Sequence, residues 1–393
     1  MKGKRTLFLI VAGIISICVL IGSLKGYDAI WSIWKIPVLS PYFCDLRNLT
    51  GGSESISMGY DPLYCNPQDP WERPMNQPRI VQHIVSILKI NQGHTAIIGT
   101  LFILLFFIGI FISLKRIDNL TALILAVVIF SPSVMLGIER GNHDLFIFFL
   151  VSAALFISSY PVISMLILLI ASFIKLFPVF ALSYFFRYVK KTQFLIFSGF
   201  IIAFMVYFLL NSADWPQLIN STEKGYGVLG YGVQTYSKSL DITSYVPLLA
   251  IMMVSLIFYV SSIHVHGFKQ GDDTHIDAFR AGAGIYMGTF FLGNCWAYRL
   301  MFLIFVIPQL VSWRKDIKRG FISLIALICI IISCWSLWGK DIYSGRPAFA
   351  IDEISNWILL ASLFYLWLSS LPLSIQNSMI KGVSLSDSSA KLK

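Results

Sequence analysis

Charge is scarce in this sequence: of 393 residues only 13% are Asp, Glu, Lys or Arg, about half the share of an ordinary soluble domain. A soluble enzyme of this length is thereby excluded. Acids are scarcer than bases, 20 against 30, yet the excess positive charge sits in short clusters between apolar runs. No basic soluble face exists on which nucleic acid would lie. No GxxxxGK[ST] string or comparable phosphate-binding loop occurs, which argues against ATP-driven work. The 6 cysteines and 6 histidines show no spacing of a structural metal site. Apolar runs do not alternate with period two, so a β-barrel is excluded as well. Nor does any internal repeat appear.

What is present is hydrophobicity. The chain is 56% hydrophobic with a mean hydropathy of +0.74, and stretches of the roughly 20 apolar residues that span a bilayer as a helix recur along it. These features predict an all-α, polytopic transmembrane bundle of about 10–12 segments in one membrane domain over residues 1–373, with a polar cytoplasmic tail at 374–393. Thr6 to Leu24, behind Lys2, Lys4 and Arg5, reads as an uncleaved first span with its N-terminus inside. Residues 25–92 then form a long external loop. Its end, Pro78 to Leu88, has the pattern of an amphipathic helix lying on the membrane surface. Spans are expected at Ala96–Leu114, Leu120–Ile138 and Leu145–Tyr160. The stretch from Pro161 to Arg187, too long for one span and too short for two, predicts a pair of broken helices around Lys175 and Pro178. Further spans follow at Phe194–Leu210, before a second external loop at 211–245, and at Val246–Ile263. The remaining ones end near Gly293 or cover Ala297–Trp313, Phe321–Trp338 and Ile358–Leu373. This threading puts 17 of the 30 lysines and arginines in short inside segments, as the positive-inside rule requires. It also puts 14 of the 20 carboxylates outside, which that rule does not explain and a functional site would.

Four polar groups end on that one external face: Asp45-Leu46-Arg47-Asn48, Glu139 to Asp144, Lys175, and Asn294 to Arg299. Ionisable residues facing lipid at depth cost roughly 2–3 kcal/mol, so a water-filled cavity is the cheaper place for them. Asp45 suits a general base that takes the proton of an attacking hydroxyl; the alternative is a loop carboxylate paired with Arg47. Arg140, Lys175 and Arg299 suit a phosphate or diphosphate leaving group, or else snorkel to the interface. Asn142 and Asp144 either bind sugar hydroxyls or cap the following helix. Cys44 and Cys65 are candidates for a disulfide in the external loop. Asn48-Leu49-Thr50 and Asn220-Ser221-Thr222 match glycosylation acceptors, a common chance pattern.

Three groups of strings carry a family resemblance. Early ones are Tyr42-Phe43-Cys44-Asp45-Leu46-Arg47-Asn48-Leu49-Thr50, Gly59-Tyr60-Asp61-Pro62-Leu63-Tyr64 and Asn76-Gln77-Pro78-Arg79-Ile80. Glu139-Arg140-Gly141-Asn142-His143-Asp144 and Lys175-Leu176-Phe177-Pro178 follow, and Tyr298-Arg299-Leu300 closes the set. In this order the chain resembles the GT-C-fold, polyprenyl-phosphate-dependent membrane glycosyltransferases of glycosyltransferase family 87, formerly a domain of unknown function. The resemblance implies an inverting hexosyl- or other glycosyltransferase of the cell envelope. It would take mannose or another hexose or pentose from a polyprenyl-phosphate sugar donor in the lipid bilayer. The sugar would pass to a glycan or glycolipid acceptor at the periplasmic face of a bacterial inner membrane, with both termini cytoplasmic. Asp45 would be the catalytic base by position, with Asp61 as its rival. Arg47, Asp61, Arg140, Asn142, Asp144, Lys175, Tyr298 and Arg299 would bind substrate. No cofactor, no metal and no nucleic-acid partner is implied.

Two other readings share the lipid-linked substrate. A flippase or other secondary transporter also uses broken helices with a charged residue at mid-depth, but two related halves would be expected of it. An envelope-polysaccharide polymerase or ligase would be expected to carry a larger, Arg-rich late external loop, whereas here the most elaborate loop follows the first span.

Overall fold

The structure is a computed structural model that describes residues 2–187, 191–223, 225–233, 235, 274–292, 295–317, 319–342 and 346–372. Among these residues the regular structure is helical, and a lone antiparallel bridge joins Gly230 to Trp296. The expected span at Val246–Ile263, Asn294 and the tail at 374–393 lie outside the described residues.

Among the described residues four helices are long and apolar enough to cross a membrane: α1 (Lys2–Lys25), α5 (Thr95–Ser113), α14 (Gly320–Ile342) and α15 (Arg346–Ser370). The protein is therefore a multi-pass membrane protein built of helices. Two bent pairs add up to two further spans. One is α6 (Asn119–Ile129) with α7 (Pro132–Glu139), bent by 53°. In the other, Phe194–Leu210 of α10 (Lys191–Leu210) meets α11 (Trp215–Ser221) at 83°. The continuous span expected over 120–138 is thus broken. Ser131 turns extended (ψ 152) and Pro132 starts a new helix at its first position, where its missing N–H and fixed φ do no harm. Helix α15 likewise starts at Arg346, well before the expected Ile358.

The first loop is ordered by short helices: α2 (Tyr27–Ser32), α3 (Cys44–Ser57) and α4 (Arg79–Ile87). Helix α4 turns Val81, Gln82 and Val85 inward onto α3 and leaves Ile84, Ile87 and Leu88 exposed, the amphipathic pattern expected of it. Helices α8 (Asp144–Phe156) and α9 (Pro161–Ile174) are shorter than a bilayer-crossing helix. The expected break around Lys175 is present: α9 stops there, Lys175 is extended (ψ 139), and Phe177–Arg187 winds on as a 3₁₀ helix. A second 3₁₀ helix, Ala297–Phe305, replaces the start of the ordinary span expected from Ala297, and α13 (Ile307–Trp313) completes it. Such long 3₁₀ runs are uncommon and often mark functional positions.

Both 3₁₀ segments are held by α12 (Ile276–Leu292). Its Gly288 faces the Phe180 ring so closely that a side chain there would overlap it. Phe148 stacks on Phe305 with centroids 4.4 Å apart, and Phe279 meets Trp313 edge-on at 4.8 Å. These contacts anchor the second 3₁₀ segment in the main core and fix where its polar first turn emerges.

Candidate active site: a charged cavity under the first loop

Two turns of chain build the centre of the site. Arg140 to His143 link α7 to α8, and Gly141 there has a φ of +60°, a left-handed conformation that favours glycine. A Cβ on it would also fall 2.9 Å from the Phe43 Cβ. Phe43 itself is left-handed (φ 61°) at the start of α3. This close approach lets the Asp45 N–H donate to the Arg140 carbonyl at 3.1 Å, stitching the first loop onto the α7–α8 turn. Asp45 lies in the first turn of α3, where the exposed N–H groups favour a carboxylate.

Asn142 fixes that carboxylate. Its Oδ1 accepts from the Asp144 N–H at 2.9 Å, so its amide nitrogen faces the other way and donates to Asp45 Oδ2 at 2.5 Å. Asn142 also reaches the Tyr298 hydroxyl. One side chain thus ties the start of α8 to Asp45.

Asp144 is fully buried behind the cavity wall rather than on it. Its Oδ1 contacts Lys175 Nζ and its Oδ2 lies 3.3 Å from Arg299 Nε. Expected as a substrate ligand, it instead positions two cations. The Arg299 guanidinium also lies over the Phe177 ring, 4.6 Å from its centroid, a favourable placement for a cation on an aromatic face. Arg140 is held by Glu139 Oε2 at 3.3 Å and donates to the Pro37 carbonyl at 3.1 Å. Arg73 is clamped through Nη2 and Nε by the two oxygens of Asp69, each at 2.9 Å.

These groups surround a cavity of about 490 Å³, within the usual range of ligand sites. Four cationic side chains (Arg73, Arg140, Lys175, Arg299) and two acidic ones (Asp45, Glu223) line it. Asp45, Arg140, Asn142, Lys175, Tyr298 and Arg299, far apart in sequence, all reach its wall. Asn48, Arg73, Asn76, Gln77, His143, Gln217, Asn220 and Trp296 also line it; several stand in the strings quoted above, but the sequence assigns none of them a site role. Asn76-Gln77 carries no charge, and only the loop's path brings it to the site.

Three further expectations meet a different arrangement. Arg47 does not line the cavity; it donates to the Tyr42 carbonyl at 2.8 Å and Gln92 Oε1 at 2.9 Å, and makes no ion pair with Asp45 among the described residues. Asp61, the rival base, lies off the cavity in an ion pair with Arg79 at 2.6 Å, and Arg79 also binds Asp214 at 3.3 Å. The Arg79 hydrogen bond holds the Asp61 carboxyl below its ordinary value. Cys44 and Cys65 are free thiols, one buried and one exposed, rather than a disulfide. Burial first, and then the neighbouring Asp45 charge, push the Cys44 thiol up to about 12.

No family model, curated protein or solved structure matches this chain. Among the described residues no group of three or more His, Cys, Asp or Glu is placed to hold a metal ion. The chemistry the wall offers is proton acceptance at Asp45 beside a positively charged patch.

Proposed function

We propose that the protein is an integral membrane glycosyltransferase, GT-C-like in fold. It moves a sugar from a polyprenyl-phosphate carrier to a glycan or glycolipid acceptor at the outer face of the membrane. The observation that carries the reading is the meeting of Asp45 with Arg140, Lys175 and Arg299 in one cavity.

The step follows from those groups. Asp45 takes the proton of an acceptor hydroxyl, whose oxygen forms the new bond to the anomeric carbon with inversion. The bond from that carbon to the carrier phosphate oxygen breaks, and its electron pair leaves with the phosphate, which gains one negative charge. Arg140, Lys175 and Arg299 are the groups to receive that charge. Asp45 supports the base role by having Asn142, not a cation, as its partner on the cavity wall.

Purified protein in lipid, given a panel of radiolabelled polyprenyl-phosphate sugars, is expected to move label to a new product. Asp45→Asn should fold normally and lose about 10²–10⁴-fold in turnover, the usual worth of a general base. Undiminished activity in Asp45→Asn would remove Asp45 from the base role. The bent pairs α6–α7 and α10–α11 favour the flippase as the second reading, since discontinuous helices are a transporter feature. Absence of transfer with every donor, while lipid-linked sugar still crosses the bilayer, would select it.

A further inference from the structure

The cavity lining also carries amides: Asn48, Asn76, Gln77, Gln217 and Asn220. Asn48 is 5% exposed, and its Nδ2 donates to two backbone carbonyls, Arg73 at 2.9 Å and Pro74 at 3.2 Å. Its orientation is therefore fixed by two acceptors, and Oδ1 is left without a hydrogen-bond partner. Gln77, 2% exposed, repeats the arrangement: Nε2 donates to Asn76 Oδ1 at 2.6 Å and Oε1 has no partner. A buried acceptor left unmet costs about 1–3 kcal/mol. Two of them on one wall are best explained by a ligand that brings hydrogen-bond donors.

We infer that this wall is the acceptor-sugar subsite, in which Asn48 Oδ1 and Gln77 Oε1 accept hydrogen bonds from ring hydroxyls of an uncharged sugar. The inference rests on the glycosyltransferase reading and adds the class of acceptor and its place. Position fits the chemistry. Asn48 follows Asp45 by three residues on α3, so the two side chains share a helix face. Charge fits as well. Arg73, the cation near this wall, already has Asp69 on its guanidinium and donates through Nη2 to the Cys44 carbonyl at 2.6 Å. An anionic sugar would meet amide oxygens and a guanidinium whose charge Asp69 already balances, whereas hydroxyls satisfy both amide acceptors without a charge to bury.

Saturation-transfer NMR on the protein in nanodiscs, with methyl α-mannoside, methyl α-glucoside and methyl α-galactoside as probes, tests the subsite without turnover. At least one probe is expected to bind, and Gln77→Leu to weaken it about tenfold, one buried hydrogen bond's worth. Asn48→Ala should act in the same direction, and Gln77→Leu, which leaves the bonds of Asn48 to the loop intact, guards against misfolding. In the transfer assay Gln77→Leu should raise the acceptor KM and leave the donor KM unchanged. Wild-type transfer without binding of any methyl hexoside, or preferential binding of glucuronate or glucosamine, would overturn the subsite while leaving the enzyme reading intact. Hexoside binding that is lost in Gln77→Leu, with no transfer from any donor, would overturn the enzyme reading and reduce the wall to a sugar-binding site.

Discussion

Burial divides the two loop thiols by reactivity. Cys44 is buried with its thiol pushed up to about 12, whereas Cys65 is exposed. Because only the thiolate attacks a maleimide, a water-soluble maleimide at about pH 8 is expected to add to Cys65 and spare Cys44 in the folded protein. Peptide mass mapping reads the result directly, and modified Cys44 would contradict its burial. Applied from outside to intact cells, the same reagent reports which face the first loop occupies. Asp61 makes a second prediction at this scale. Its folded carboxyl is held below the unfolded value of 3.8 by Arg79. The pair's stabilisation is therefore fully present above that value and is lost as pH falls through the lower, folded one. Melting temperature should be flat from neutral pH to about pH 5 with respect to this pair and decline in stronger acid. Asp61→Asn should remove that share of the decline; an unaltered acid limb would show that Arg79 is not its cause.

Ionisable residues were legible at this scale because a charge near a membrane demands a reason. That argument identifies Asp45, Arg140, Lys175 and Arg299 as members of the site, and all four line the cavity. It fails for Arg47 and Asp61 because a sequence shows a charge but not its partner, and both are engaged elsewhere. It is silent on Asn48 and Gln77, whose meaning lies in which of their two amide atoms is already occupied.

The elements of the fold meet the site at a few turns, and the tightest is the α7–α8 corner. Gly141→Ala would force a side chain into a left-handed backbone and against Phe43. The expected loss is about 1–3 kcal/mol of stability, together with weakened transfer, because the corner carries Asn142 to Asp45. Thermal melts and initial rates check both, and a variant with normal stability would mean that the corner yields more easily than its packing suggests. Hydropathy located most helices but hid how they end. Ser131-Pro132-Ser133 is short and lies inside an apolar string, so the break between α6 and α7 is averaged away in the hydropathy. The 3₁₀ winding of Phe177–Arg187 and Ala297–Phe305 is invisible for the same reason. Apolar content is equal for either winding, and the choice falls to packing against α12. By contrast the break at Lys175 was legible, since a lone charge between two apolar runs requires a place to go.

On the scale of the whole molecule, the helices provide a frame in lipid and the first loop covers a cavity at its edge. Part of the cavity wall comes from the frame itself. Gln217, Asn220 and Ser221 stand on α11, which departs from the apolar arm Phe194–Leu210 at 83°. One arm of this bracket is apolar and lies in the hydrocarbon layer, and the other lines the cavity. A helix answers a thinner or thicker bilayer by tilting, and a tilt of the long arm swings the short one. Membrane thickness thereby becomes a tuning variable for the cavity, much as string tension sets the pitch of an instrument without altering its shape. In nanodiscs of graded acyl length the acceptor KM should pass through a minimum while the melting temperature moves little; a KM indifferent to chain length would mean that the bracket is stiffened by its neighbours.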